Sequence, residues 1–393
     1  MSKEVFILGG KRTPMGEYVG ALKDISAIDL GAIAAKGALE ATGVSAQDID
    51  HTVIGNALQT SGDAIYGARH VALKAGVPFD RPALTVNRLC GSGIQSIISG
   101  AQMIQLGEAQ TALVGGMESM SQAPHVIRGA RSGFPLGGGK LEDSLMVALL
   151  DTYCNTPMAG TAENLARKFE VSREEQDRYA LRSQQEAKRA NDEGYFAEEI
   201  VPVEVKSRKS TVMFDADDHM RPETTLEGLA KLRPAFAKDG FVTAGNASGI
   251  VDGAAALIIC GEEYLKARDA KPMGRIVSWA YAGVEPEIMG IGPVPATRKA
   301  LEKAGLRLSE IDLVEVNEAF AAQYLAVEKE LGLDRTRTNV NGGAIALGHP
   351  LGATGTRLVL TVLHELHRRS GRYGVATACI GGGQGIAMIV ERV

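Results

Sequence analysis

This 393-residue chain predicts an α/β layered fold built from two similar halves. Three observations carry that prediction. Strand-like and helix-like stretches alternate through both ends of the chain, the pattern of layered α/β domains. A block near the N-terminus also recurs near the C-terminus. Ala38-Leu39-Glu40-Ala41-Thr42-Gly43-Val44 matches Ala300-Leu301-Glu302-Lys303-Ala304-Gly305-Leu306, and Ile49-Asp50 matches Ile311-Asp312. The offset is constant, 300 − 38 = 311 − 49 = 262, and it holds without a gap as far as Ala57 against Ala319. Such a repeat means two copies of one unit packed around a pseudo-twofold. Third, a polar, helix-rich stretch from about Ser121 to Gly249 interrupts the alternation and reads as an insertion lying on the core.

The elements follow in order. Val5 to Leu8 is a short apolar strand. Ser26-Ala27-Ile28-Asp29 has capping-box spacing and opens a helix that runs to about Ala41 and stops at Gly43. Ser45-Ala46-Gln47-Asp48 repeats the cap before a strand at Val53-Ile54. Gly67 to Ala75 is a weaker helix, and Thr111 to Val114 a strand running into Gly115-Gly116. Arg128 to Lys140 is rich in glycine and basic residues without a period. Thr161 to Glu170 and Arg173 to Asn191 read as amphipathic helices, the second capped by Ser172 and ended by Gly194. Asp215-Ala216-Asp217-Asp218 reads as a solvated acidic turn, and Gly253 to Cys260 as a return to buried strand. In the second half a glycine-rich turn, Gly348 to Gly355, precedes a helix from Thr356 to His367 and a strand from Tyr373 to Cys379.

Composition excludes several classes. With 45% hydrophobic and 23% charged residues the chain is an average globular sequence. A net charge of −5, from 42 basic and 47 acidic residues, argues against a nucleic-acid surface. The four cysteines (Cys90, Cys154, Cys260 and Cys379) lie far apart with no C-x-x-C pair. Neither a zinc site nor a disulfide framework is indicated, and a reducing cytosol is expected. The first apolar run, Val5-Phe6-Ile7-Leu8, is too short for a signal peptide, and nothing approaches a membrane span. His364-Glu365-Leu366-His367 lacks the spacing of a zinc motif.

Cys90 is the first candidate for chemistry. An extended run, Pro82 to Val86, leads to Cys90-Gly91-Ser92-Gly93, after which Ile94, Ile97, Ile98, Ala101 and Ile104 keep to one helix face up to Gly107. A cysteine where strand turns into helix meets unpaired backbone N–H groups. These favour a thiolate, so its pKa is expected to fall. A structural buried cysteine is the competing reading. The second half adds His349 in the glycine-crowded loop Asn341 to Gly352, Cys379 before Ile380-Gly381-Gly382-Gly383, and Asn317-Glu318-Ala319-Phe320 at the end of the repeated strand. In layered α/β folds such strand ends are where sites form.

Together these stretches resemble the thiolase family, most closely its bacterial acetyl-CoA C-acetyltransferases, over the whole length. Asn87-Arg88-Leu89-Cys90-Gly91-Ser92-Gly93, Gly115 to Ser121, Thr243 to Gly249, Asn317 to Phe320, Gly348-His349-Pro350 and Cys379 to Gly383 carry the resemblance. It implies duplicated halves forming a five-layer αβαβα core with an inserted loop domain. The expected division is 1–120 with 251–271, an insertion at 121–250, and 272–393. It implies that Cys90 carries the acyl group, that His349 takes its proton, and that Cys379 removes a proton from the second acetyl-CoA. His349 and a water held by Asn317 would form one oxyanion hole, and the N–H groups of Cys90 and Gly381 the other. Such donors contribute on the order of 3–4 kcal/mol each.

By the same resemblance the insertion holds coenzyme A. Arg221 would lie by the nucleotide and Ser248 would bond the pantetheine. Leu149, Met158, Phe236, Ala244, Ala319 and Phe320 would line the tunnel. An ordinary solvated arginine is the competing reading for Arg221. Arg128 to Lys140 resembles the family's tetramerisation loop, which implies a homotetramer. The expected reaction joins two acetyl-CoA into acetoacetyl-CoA and CoA, or the reverse, in the cytoplasm. No metal and no cofactor beyond the CoA thioesters is expected. One departure stands out. Pro157 occupies the place where short-chain members carry a histidine before Met158, while Met158 and Met289 match. The departure admits a thiolase for longer or dicarboxylic 3-oxoacyl-CoA as the second reading. A condensing enzyme fed by an acyl carrier protein fits the His349 and Cys379 context less well. A non-catalytic acyl-CoA-binding or lipid-binding member of the superfamily would be expected to lack catalytic residues, and this chain lacks none.

Overall fold

The computed structural model of the chain describes residues 3–206 and 210–393. Its main sheet has ten strands. Along the sheet the order is Leu313–Val316, Tyr373–Ile380, Gln384–Arg392, Gly274–Gly283, Val5–Arg12, Val251–Gly261, Thr111–Glu118, His51–Gly55 and Ala83–Val86, with Gly16–Glu17 on the flank of Val251–Gly261. The two arms meet where Val5–Arg12 pairs with Gly274–Gly283. Outward from there, both arms repeat one pattern. The first strand of the half pairs antiparallel with its last, that strand antiparallel with the one before it, and that one parallel with the second. Even the outermost parallel partner recurs, as strand Ala83–Val86 in one arm and as a bridge from Val314 to Thr338 in the other.

The 262-residue offset is visible element by element. Gly43 and Gly305 both end helices in the left-handed conformation, with φ of 67° and 66°. The short 3-10 turns Ala46–Asp48 and Leu308–Glu310 and the strands after them follow at the same spacing. Ser26 caps helix Ala27–Thr42 by accepting the Asp29 N–H. Asp29 turns its carboxylate to the Ser26 hydroxyl and to Lys74, so this is a plain N-cap and not the capping box its spacing suggests. A full capping box forms instead at Ser172 and Glu175, at the head of Arg173–Asp192.

Five layers result. Helices Ser92–Leu106 and Leu351–Arg369 pack on each other and fill the space between the two arms, in the largest apolar cluster. Ala27–Thr42 and Gly67–Lys74 cover the outer face of one arm, and Pro293–Ala304 with Ala321–Leu331 that of the other. Leu351–Arg369 starts five residues before Thr356, where the sequence suggests the helix begins. Gly352 and Gly355 read as turn residues but lie within the helix. A Cβ on Gly355 would sit 2.5 Å from the Ile94 nitrogen, so this glycine serves close packing of the central helices.

The insertion joins Thr111–Glu118 to Val251–Gly261; the second half makes the same connection in the short turn after Ile380. Met158–Lys168 starts three residues earlier than its periodicity predicts. The acidic turn is only partly solvated: Asp215 and Ala216 are exposed, but the other two acids are engaged. Asp217 is buried and takes Arg12 Nη1 at 2.7 Å, Arg12 Nη2 at 2.9 Å and the Met15 N–H at 2.8 Å. Arg12 also donates to Glu199 at 2.8 Å. Asp218 accepts the Glu17 N–H. The turn is acidic because its partner is a buried arginine on the first strand. Among the described residues no helix is long and apolar enough to cross a membrane.

Candidate active site

Strand Ala83–Val86 leads into a single 3-10 turn, Leu89–Gly91, and then directly into helix Ser92–Leu106. Cys90 sits in that turn, part-buried, on the wall of a cavity of about 260 Å³. His349, Gly381 and Gly382 reach the same cavity from the other half. The N–H groups of Gly381 and of Cys90 itself lie close to the thiol sulfur. Their effect is to lower the thiol pKa, as the sequence suggests. Burial outweighs it and pushes Cys90 up to about 11, with the Glu118 carboxylate adding to the rise. Cys90 at rest is therefore a thiol, and to act as the expected nucleophile it would have to lose its proton to a neighbour. The expected thiolate does not form, because local sequence does not reveal how dry the site is.

His349 is the neighbour suited to that task. It is buried, not on a surface loop. Its Nδ1 lies 2.6 Å from Thr354 Oγ1, whose own proton goes to the Pro350 carbonyl at 3.0 Å. Nδ1 must then be the protonated nitrogen, and Nε2 keeps its lone pair. Burial, together with the positive charge of Arg357, pushes the imidazole down to about 3. It is neutral at physiological pH and able to accept a proton.

Asn317 follows strand Leu313–Val316, and its N–H bonds to the Thr377 carbonyl at 2.9 Å. This register brings it to the end of Tyr373–Ile380, where Cys379 lies. Its Nδ2 is 3.3 Å from His349 Nε2, and its Oδ1 is buried without a partner among the described residues. Such an orphan acceptor has capacity for a donor such as water. Cys379 is fully buried among Met289, Ala319, Met158 and Phe320. Burial and the proximity of Cys90 both hold its thiol well above the usual range. Gly383 has φ of +81°, and a Cβ there would lie 2.3 Å from the Val284 carbonyl oxygen, so this turn admits only glycine.

The residues expected to hold coenzyme A divide into two groups. Leu149, Met158, Ser248, Ala319 and Phe320 line the Cys90 cavity, joined by Met289. Arg221 and Ala244 line a second cavity of about 460 Å³. The segment from Ala244 to Ser248 runs from one to the other, and Ala247 bridges to Phe320. Phe236 is exposed and lines neither cavity. Arg221 is exposed, with 51% of its side chain accessible, and is tethered at both guanidinium ends. Nη1 donates to the carbonyls of residues 218, 219 and 220, and Nη2 to Glu17. Pro157 is exposed at the N-cap of Met158–Lys168 and is not part of the cavity wall. Thr354, Leu89 and Leu351 belong to the site and were not indicated by the sequence. Thr354 lies one turn after His349, a signal that becomes readable only once the helix is known to begin at Leu351.

Comparison with known proteins agrees with this geometry. The model of the thiolase N-terminal domain matches residues 5–263, and that of the thiolase C-terminal domain residues 270–392. The human mitochondrial 3-ketoacyl-CoA thiolase is 58% identical over 388 residues, covering 98% of each chain. An acetyl-CoA acetyltransferase of Pseudomonas aeruginosa is 50% identical over 392 residues, covering 99% of this chain and all of the relative. The crystal structure of the human mitochondrial enzyme in complex with CoA superposes with a TM-score of 0.97 at 58% identity, covering 100% of this chain and 98% of that one. With its duplicated halves, its layered core and both domain models matched, the chain belongs to the thiolase family.

Proposed function

We propose that the protein cleaves 3-oxoacyl-CoA with CoA to give acetyl-CoA and a shortened acyl-CoA, and catalyses the reverse Claisen condensation. Two acetyl-CoA giving acetoacetyl-CoA and CoA is then the shortest member of the set. One observation carries the reading: Cys90, His349 and Gly381, from two halves of the chain, face one cavity, with Cys379 packed behind its wall residues Met158, Met289, Ala319 and Phe320, and Asn317 against His349. In the condensation direction Cys90 Sγ attacks the thioester carbonyl of the first acyl-CoA. His349 Nε2 takes the thiol proton and keeps it as the imidazolium, and the Cys379 thiol gives its proton to the departing CoA sulfur. The N–H groups of Cys90 and Gly381 receive the oxyanion. Cys379, now a thiolate, then removes a proton from the methyl carbon of a second acetyl-CoA. The enolate oxygen is held by the protonated His349 Nε2 and by a water on Asn317; its carbon attacks the acyl-Cys90 carbonyl to release Sγ, which takes the Nε2 proton back.

The range of acyl chains is part of the proposal. The 58%-identical relative is named a 3-ketoacyl-CoA thiolase, and the cavity wall beside Cys90 is apolar at Leu149, Met158, Met289, Phe320 and Leu351. Both support chains beyond acetoacetyl. Coenzyme A lies along Ala244 to Ser248 with its nucleotide toward Arg221. The division at residues 120 and 271, the cytoplasmic location and a homotetramer formed through Arg128 to Lys140 belong to the same reading. Exposed Phe134, Leu136 and Leu141 in and beside that loop are its support. Incubation with acetyl-CoA tests the core of it. Mass spectrometry should find one acetyl group per chain, on Cys90, and none in Cys90→Ser. A label on Cys154 or Cys260 instead would refute the reading.

A further inference from the structure

The residue before the nucleophile is strained. Leu89 has φ of +48°, in the left-handed region that a branched side chain rarely occupies. A glycine would take this conformation freely. The leucine is held there by side chains on both sides of its backbone. Its N–H donates to Asn87 Oδ1 at 2.9 Å, and its carbonyl accepts from Ser92 Oγ at 2.7 Å. Ser92 Oγ accepts the Arg88 N–H at 2.8 Å. Asn87 is anchored in turn, because its Nδ2 donates to the Ala57 carbonyl at 3.1 Å. The next residue is Cys90, whose N–H lies near its own sulfur together with that of Gly381. The direction of that N–H is set by the peptide between Leu89 and Cys90. Strain at a site residue persists only where surrounding bonds over-determine it.

We infer that Asn87 is a positioning residue: by accepting the Leu89 N–H it holds the strained peptide that aims the Cys90 N–H at the reacting carbonyl oxygen. The inference rests on the proposed role of Cys90 as acyl carrier. Asn87 touches neither sulfur nor acyl group and acts through Leu89. The leucine itself is retained because its side chain lines the acyl cavity.

Single-turnover acetylation of Cys90, followed by mass spectrometry, tests it. Asn87→Ala should slow acetylation about tenfold while KM for acetyl-CoA and Tm stay close to wild type. Asn87→Ser keeps a short neutral acceptor two residues before the N–H and should recover part of the rate. In a Leu89→Gly background, where the left-handed turn needs no clasp, Asn87→Ala should change the rate less than twofold. An unchanged rate in Asn87→Ala overturns the inference. So does a loss that tracks a falling Tm, or one that stays tenfold in the Leu89→Gly background. Wild-type protein that takes no label on Cys90 would instead remove the proposed function on which the inference rests.

Discussion

Asn317 Nδ2 lies 3.3 Å from His349 Nε2, while Thr354 Oγ1 fixes the opposite ring nitrogen at 2.6 Å. The imidazole is thus held at both ends, with one tautomer imposed. Asn317 keeps an unpartnered Oδ1 on its far side. In the proposed mechanism an amide placed this way would serve the step in which charge builds on an enolate, not the step in which Cys90 is acylated.

Asn317→Ala should therefore separate the two half-reactions. Condensation is expected to fall by about 10²–10³, the loss typical of one oxyanion donor. Single-turnover acetylation of Cys90 should fall by less than about tenfold. Equal losses in both steps would mean that Asn317 only keeps the site folded.

His349 should also leave a mark on stability. Its folded pKa, about 3, lies below its ordinary value of 6.5. Between those values the unfolded chain binds a proton that the folded chain does not, so stability rises with pH across this window and is lost as pH falls. Glu118 and Glu315, pushed up to about 7 and about 8, act in the opposite sense from their ordinary value of 4.5 upward. Comparison with His349→Gln isolates the histidine. From pH 6 to pH 4 the wild type should lose up to about 1.4 kcal/mol per pH unit more than the variant. Parallel denaturation profiles would show that the imidazole is not buried neutral.

Asp217 offers a test far from the reaction. Its removal leaves Arg12 buried with only Glu199 to neutralise it. Losing one partner of a buried pair costs about 3–5 kcal/mol. The same turn carries Arg221, whose Nη1 donates to the carbonyls of residues 218 to 220. Asp217→Ala should lower stability by that amount in urea and raise KM for CoA more than it lowers kcat. A loss below about 1 kcal/mol would place the turn in solvent after all.

Asp217 also shows where sequence reading ends. Four residues with three acids look solvated, and the cation that buries one of them lies 205 positions away. Cys90, His349 and Cys379 were legible because each stands in a glycine-rich context at an element boundary, where close approach leaves a local signature. The gapless offset exposed the duplication because both copies keep helix, cap and strand. The Cys90 thiol pKa was misjudged because the residues packed around it, Met120, Leu145, Leu149 and Leu351 among them, are distant in sequence. Thr354 was missed because Gly352 and Gly355 look like turn residues until their contacts across the central helices are seen.

Pro157 invites one more misreading, concerning the length of the acyl chain. It stands where a polar side chain would be expected to close the cavity, yet it is exposed and caps Met158–Lys168 with φ of −65°, an ordinary proline value. The wall behind it is fixed by backbone. Leu150–Asp151 pairs with Thr156–Pro157, and the Met158 N–H bonds to the Leu149 carbonyl at 2.9 Å. Neither bond involves the side chain at 157, so Pro157→His should leave chain-length preference within about twofold. Met289 is different. It is buried against Cys379 and Ala319 and lines the cavity. Met289→Ala opens space there, and each methylene that fills it is worth ~0.8 kcal/mol. Two methylenes should shift preference toward the longer substrate on the order of tenfold. The measurement is kcat/KM for thiolysis of acetoacetyl-CoA against 3-oxohexanoyl-CoA in wild type, Pro157→His and Met289→Ala. A shift in the proline variant with none in the methionine variant would mean that a moving loop sets chain length, not the buried wall.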